Sequence, residues 1–380
     1  MGADIPQITI PADLLPADGR FGSGPSKVRP EAVAALAEAA GGYLGTSHRR
    51  PGVRQVMGRV REGLSTLLGL PAGYEVLLGN GGATAFWDAA AFGVIERHSQ
   101  HLSFGEFSAK FAAVVRGAPH LEDPEVIVSP PGTCPDPVGR AGIDVYALTH
   151  NETSTGVVAP VLRPRDAETE PDALVVVDAT SAAGGVRVDP GEFDVYYFSP
   201  QKCLASDGGL WLAACSPAGV ERIERLAASG RWTPPSLSLL LALENSRQDQ
   251  TYNTPALATL FLLAHQIEWI LGLGGLEWSA QRSEESSGIL YRWAEAHPLA
   301  APFVADAARR SPVVAAVDLD PTVDADVVSA VLRRNGIVDT ESYRKLGRNQ
   351  LRIACFPAVE PDDVTRLTRA LDHVIAALAS

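Results

Sequence analysis

Lysine is scarce in this chain of 380 residues: Lys27, Lys110, Lys202 and Lys345 are the only four, which leaves 28 of the 32 basic residues as arginine. Cysteine is as sparse, with four residues at 134, 203, 215 and 355, no CxxC pair and no histidines gathered near them. That spacing argues against a zinc site or a disulfide framework and suits free thiols in a reducing cytoplasm. Positive charge is short altogether: 45 acidic against 32 basic residues give a net charge of −13. Nucleic-acid backbones and anionic membranes are therefore poor candidates for the main partner, while local cationic pockets for small anions stay open. No apolar run reaches the roughly 20 residues of a membrane span; the nearest, residues 259–275, is broken by His265, Gln266 and Glu268. The opening stretch MGADIPQITIPADLLPADG has no basic region followed by an apolar core, so a secretory signal is not expected.

What the chain does have is alternation. Residues 74–79, 97–104, 125–129, 143–149, 173–179, 193–199 and 210–215 read as strands, several of them continuous apolar runs of the kind buried on both faces. Helical stretches separate them, notably 83–96 and SAKFAAVVRGA (108–118), and the spacing of Val53, Val56, Val60, Leu64 and Leu67 predicts an amphipathic helix over 53–69. This pattern predicts an α/β fold with a mostly parallel sheet and a site at the carboxyl ends of its strands. After a helical run from Pro255 to about Gly274 the texture changes to helix 276–297, strands 311–320 and 351–357, and two further helices, a smaller α+β unit. There are no internal repeats, and 131–142 and 160–172 read as surface loops.

Chemistry gathers at the strand ends. Asp178 closes the run ALVVVD, where a buried carboxylate needs a cation or donors; a turn aspartate is the bland alternative. Lys202, about one strand later in SPQKC, is an amine that can lose its proton, as arginine cannot. An acid to hold a ring nitrogen protonated and a lysine to form a Schiff base are the minimum for pyridoxal-phosphate chemistry. GNGGATAFWDAA (79–90) sets a glycine turn before a helix N-terminus, which suits a phosphate, although a ligand-free turn reads the same way. NETSTG (151–156) offers hydroxyl and amide groups, and Phe104 or Phe107 could stack on a planar ring. His48 and Arg49 in SHRR, Arg344 in SYRK and Arg352 are cations suited to carboxylate or phosphate. A solvated basic loop is the ordinary explanation of such a cluster.

In order along nearly the whole chain, FGSGPS, SHR, GG-A-T, GEFSAK, NET-TG, VVDATSAAGG, SPQK, YNTP and LRIACF resemble the phosphoserine aminotransferase family, class V members of the fold-type I pyridoxal-phosphate enzymes. The resemblance implies a large cofactor domain over 24–275 with a mostly parallel seven-stranded sheet, and a small domain from 1–23 and 276–380. It implies Lys202 as the Schiff-base lysine, Asp178 on the pyridinium nitrogen, Thr153 on the ring hydroxyl and Phe107, in place of the family's usual Trp, as the stacking residue. Ala83, Thr84 and Gln201 would hold the cofactor phosphate, joined by Asn253 and Thr254 from the second subunit of a homodimer. Arg352 would clamp the substrate α-carboxylate, and His48 and Arg49, helped by Arg344, its second anion; Tyr343 stands where the family commonly has His. The activity implied is amino transfer from L-glutamate to 3-phosphooxypyruvate in serine biosynthesis, with 4-phosphohydroxy-L-threonine of pyridoxine biosynthesis as the other substrate of some relatives. Rival readings are a serine- or alanine–glyoxylate-type aminotransferase, a cysteine desulfurase, for which neither Cys203 nor Cys355 suits, and a non-catalytic phosphate-binding α/β protein.

Overall fold

The computed structural model describes residues 5–379. Its strands are β1 (Glu75–Asn80), β2 (Ser99–Ser103), β3 (Glu125–Val128), β4 (Val145–Thr149), β5 (Asn151–Glu152), β6 (Val157–Val158), β7 (Leu174–Asp178), β8 (Val195–Phe198), β9 (Leu210–Cys215), β10 (Ala300–Pro302), β11 (Val314–Leu319) and β12 (Gln350–Ala354). Seven of them form one sheet in the order β1-β9-β8-β7-β4-β2-β3. Only β9 runs against the rest, antiparallel to both β1 and β8, so the expected mostly parallel seven-stranded sheet is present.

The continuous apolar runs have a direct cause. Every residue of β4, β7, β8 and β9 is buried, because helices cover both faces of the sheet. Side chains alternate between the faces along each strand. Tyr146, Leu148, Val175, Val177 and Tyr196 join the core under α2 (Pro51–Leu67) and α7 (Leu257–Gly272). Val145, Ala147, Val176, Val195 and Tyr197 join the opposite core under α3 (Ala83–Gly93) and α4 (Glu106–Gly117).

A third core surrounds the antiparallel sheet β10-β11-β12 with α8 (Gly275–Ala296), α9 (Ala325–Arg334) and α10 (Pro361–Ala379). Ile10 and Phe21 from the N-terminal stretch are buried in that core, and the N–H of Ala354 donates to the carbonyl of Phe21 at 2.9 Å. The helical run from Pro255 stops at Gly272, and α8 leaves at 90° to α7, through Gly274 at φ +123°. Among the described residues no single helix is long and apolar enough to cross a membrane.

Several elements differ from the sequence reading. The helix expected to 96 ends at Gly93 and the strand expected from 97 begins at Ser99. The cause is Asp144, whose carboxylate accepts the N–H groups of Glu96, Arg97 and His98 and holds them as a turn. Helices α1 (Pro30–Tyr43), α5 (Pro217–Ala228) and α6 (Leu239–Ser246) and strand β10 appear where nothing regular was expected.

Candidate active site

The carboxyl ends of β4, β7 and β8 open on a cavity of about 370 Å³, within the range that takes a cofactor-sized ligand. Asp178, the last residue of β7, lies in its wall and is buried. Two donors hold the carboxylate: the backbone N–H of Thr180 reaches Oδ1 at 3.0 Å, and the indole N–H of Trp87 reaches Oδ2 at 3.2 Å. The expectation of a cation or donors beside this acid is met in part by Trp87, to which sequence reasoning gave no role.

Lys202 follows β8 in a tight turn and is 7% exposed. Its Nζ donates to Thr153 Oγ1 at 2.6 Å and lies 5.1 Å from the centre of the Phe107 ring. Burial pushes its amine down to about 8; the Asp178 carboxylate pulls it up, and Arg352 pushes it down further. The backbone of Gly24, at φ +148°, passes so close that a Cβ there would stand 2.9 Å from Lys202 Cε. That is the structural use of FGSGPS, to which no role had been given.

Thr153 is itself oriented. Its hydroxyl donates to Ser181 Oγ at 2.9 Å, and Ser181 donates in turn to the carbonyl of Asn151 at 2.8 Å. Glu152, fully buried between them, accepts from the N–H and hydroxyl of Ser108 at 2.9 Å each and from the Ser154 hydroxyl at 2.7 Å. It thereby caps α4, whose second residue is Phe107. Gly105 is required at this contact, since a Cβ there would meet Glu152 Cγ at 2.3 Å. Phe107 lines the cavity, whereas Phe104 is 1% exposed within the core beneath.

The glycine turn ends at Gly82, which gives α3 no side-chain cap. The N–H groups of Ala83 and Thr84 therefore have no intrahelical acceptor, and both residues line the cavity with Gln201. Across from them, Arg352 of β12 donates to the Thr153 carbonyl at 3.1 Å, and its guanidinium lies 5.2 Å from the Tyr343 ring centre. Besides Lys202 it is the only cation lining the cavity among the described residues.

His48, Arg49, Arg344, Asn253 and Thr254 do not line this cavity. Two of their loops meet each other instead: His48 Nδ1 is 3.1 Å from Thr254 Oγ1, and Arg49 donates to Gln250 Oε1 at 2.8 Å. Burial lowers the His48 pKa, and the Arg49 charge lowers it further. The Thr254 carbonyl accepts from Asn80 Nδ2 at 2.7 Å, which sets this pair of loops beside the end of β1 and its glycine turn. Arg344 is exposed in the short helical turn Arg344–Leu346. The amide expected from NETSTG, Asn151, is in the wall; sequence reasoning missed Ser23, Gly24, Pro25, Trp87 and Thr180 there, and treated Tyr343 only as a departure. Trp87 had one available signal: it stands four residues after Ala83, on the same side of α3.

The residues present fit pyridoxal phosphate. Gln201 Oε1, Thr180 Oγ1 and Arg352 Nε are buried without a hydrogen-bond partner, which is the condition of groups shaped for a polar occupant. A helix N-terminus suits the phosphate, a reactive buried amine the aldehyde, and a donor-held carboxylate a ring N–H. No cluster of metal-binding side chains occurs among the described residues.

Comparison with known proteins extends this geometry. The aminotransferase class-V model matches residues 138–340. A curated protein of Mycolicibacterium vanbaalenii is 60% identical over 98% of this chain and 99% of its own length. The phosphoserine aminotransferase of Rhodococcus jostii is 57% identical over 97% of this chain and 98% of its own. Among solved structures, a phosphoserine aminotransferase from Cytophaga hutchinsonii superposes with a TM-score of 0.84 at 27% identity, covering 93% of this chain and 99% of that one.

Proposed function

This chain belongs to the aminotransferase class V family, among its phosphoserine aminotransferases, and we propose from that premise that it moves the amino group of L-glutamate to 3-phosphooxypyruvate, giving O-phospho-L-serine and 2-oxoglutarate. It is a pyridoxal-phosphate-dependent transaminase. The observation that carries the assignment of its site is the buried Lys202 amine in one cavity with the donor-held Asp178 carboxylate and the free N-terminus of α3.

Bound there, pyridoxal phosphate supplies an aldehyde carbon that exchanges amines and a ring that accepts the electron pair left at the substrate α-carbon. Ala83, Thr84 and Gln201 hold the phosphate. Asp178 would keep the proton on the ring nitrogen, and the Thr153 hydroxyl would face the ring hydroxyl. Phe107 packs on the ring face. Lys202, its pKa brought to about 8 by burial, would hold the cofactor aldehyde and, as a free amine, would carry the proton from the substrate α-carbon. Arg352 binds the α-carboxylate and fixes the bond to be broken. His48 and Arg49 would receive the second anion that glutamate and phosphoserine share, with Arg344 as a helper.

We assign Asn253 and Thr254 to the phosphate of a second copy, in a homodimer with shared sites. Exposed Arg49, Asn253, Thr254 and Tyr252 on the loops beside β1 support that reading. Residues 24–275 serve as the cofactor domain, with 1–23 and 276–380 as the small domain, in a cytoplasmic enzyme. The test is a donor and acceptor panel on purified protein with pyridoxal phosphate. Glutamate with 3-phosphooxypyruvate should lead, Lys202→Arg should abolish turnover, and a preference for alanine with glyoxylate would replace this substrate assignment.

A further inference from the structure

The indole N–H of Trp87 points at a carboxylate rather than at solvent or a backbone carbonyl. Trp87 is 3% exposed, lines the cavity, and is fixed by Phe111, whose ring stacks on it with centroids 6.2 Å apart. Phe111 is itself set edge-on to Tyr197 of β8 at 6.1 Å. The indole thus has little freedom, and neither does its partner. Trp87 holds Oδ2 of Asp178 while Thr180 holds Oδ1, so the carboxylate cannot turn without losing one donor. Indole is a donor only; it favours the ionised acid and cannot take its proton. Trp87 also stands one turn beyond Ala83 and Thr84, so the helix end that faces the phosphate and the donor that orients Asp178 belong to one rigid element.

We propose that Trp87 is a positioning residue: through its N–H it fixes the ionised Asp178 carboxylate against the cofactor ring nitrogen, and so sets how firmly that nitrogen keeps its proton. The inference rests on the cofactor assignment above. The titratable groups facing the site are Tyr196 and Tyr197 from β8, Glu152 from β5, Lys202 and Cys203 from the turn after β8, Tyr343, and Arg352 from β12. None of them changes in the variants.

The test is the pH midpoint of the near-visible absorption of the holoenzyme. A ring nitrogen held less firmly carries less positive charge, and a less positive ring lets the cofactor-linked nitrogen keep its proton to higher pH. Trp87→Phe should therefore raise the midpoint by about half a unit or more, a roughly threefold change in the proton-binding constant. Trp87→His, which keeps a ring N–H, should return it at least halfway. An unchanged midpoint in Trp87→Phe overturns the proposal. So does a His variant that binds cofactor and shifts as far as Phe does, because packing alone then accounts for the effect. A wild-type protein with no near-visible band after adding pyridoxal phosphate overturns the cofactor assignment instead, and this inference with it.

Discussion

The reactivity of Lys202 follows from its burial, and the size of the effect is calculable. An ordinary lysine titrates at 10.5, and here the amine is brought to about 8. At pH 7 about one amine in ten is then unprotonated, against about one in three thousand otherwise, a gain of roughly 300-fold in the reactive form. The neutral amine attacks the aldehyde, so cofactor capture by apoenzyme should rise tenfold per pH unit up to about 8 and then level off. The assay is the growth of near-visible absorbance after mixing apoenzyme with pyridoxal phosphate between pH 6 and 10. Each rate is divided by that of Nα-acetyl-lysine, corrected for its own titration, to remove ionisation of the aldehyde. Two variants check the cause, because the neighbouring charges act in opposite directions. Arg352→Gln removes a repelling cation and should move the break upward; Asp178→Asn removes an attracting anion and should move it downward. A normalised rate that climbs on to pH 10, or two variants that shift the same way, would refute the reasoning.

Gly24→Ala forces a Cβ to within 2.9 Å of Lys202 Cε at a backbone angle that L side chains rarely adopt; it should abolish cofactor uptake while circular dichroism stays native. Glu152→Gln leaves the donors of Ser108 and Ser154 facing an amide instead of a carboxylate, and should cost about 3 kcal/mol, read as a fall of several degrees in melting temperature. Arg352→Lys keeps the charge but loses the fork, and should raise the glutamate KM at least tenfold with kcat falling less. Mixing inactive Lys202→Ala and Arg49→Ala proteins, then allowing subunits to exchange, should restore about a quarter of wild-type activity if sites are shared across a dimer; no recovery despite exchange would place Arg49 in the site of its own chain.

The sheet was legible because burial on both faces leaves no polar alternation: LVVVD and VYYF can be little else than central strands. Asp178 and Lys202 were legible for a related reason, being ionisable groups that stand at the end of such a run or within one turn of it. Helix α1 was hidden because only Ala32 and Tyr43 of its residues are buried, too few to make a periodic stripe. Trp87 was hidden by type, since an aromatic on a buried helix reads as packing until the indole N–H is seen to meet Oδ2. Gly24 was hidden because a close approach between residues 24 and 202 leaves no local trace.

The cationic residues separate along another line. Arg352 reaches the cavity by the ladder of β12 on β11, where it pairs with Ala316, and its guanidinium is held by Thr153 and Tyr343. Folding one chain suffices to place it. Arg49 instead belongs to a loop tied to the YNTP loop through Arg49–Gln250 and His48–Thr254. Those contacts make the two loops one piece, so whatever positions Thr254 positions His48 and Arg49 with it. If Thr254 serves the phosphate of a second copy, the same loops bring that copy its second anion pocket, and substrate specificity follows from association. In that case Arg352 answers to the fold of a single chain, and Arg49 to the meeting of two.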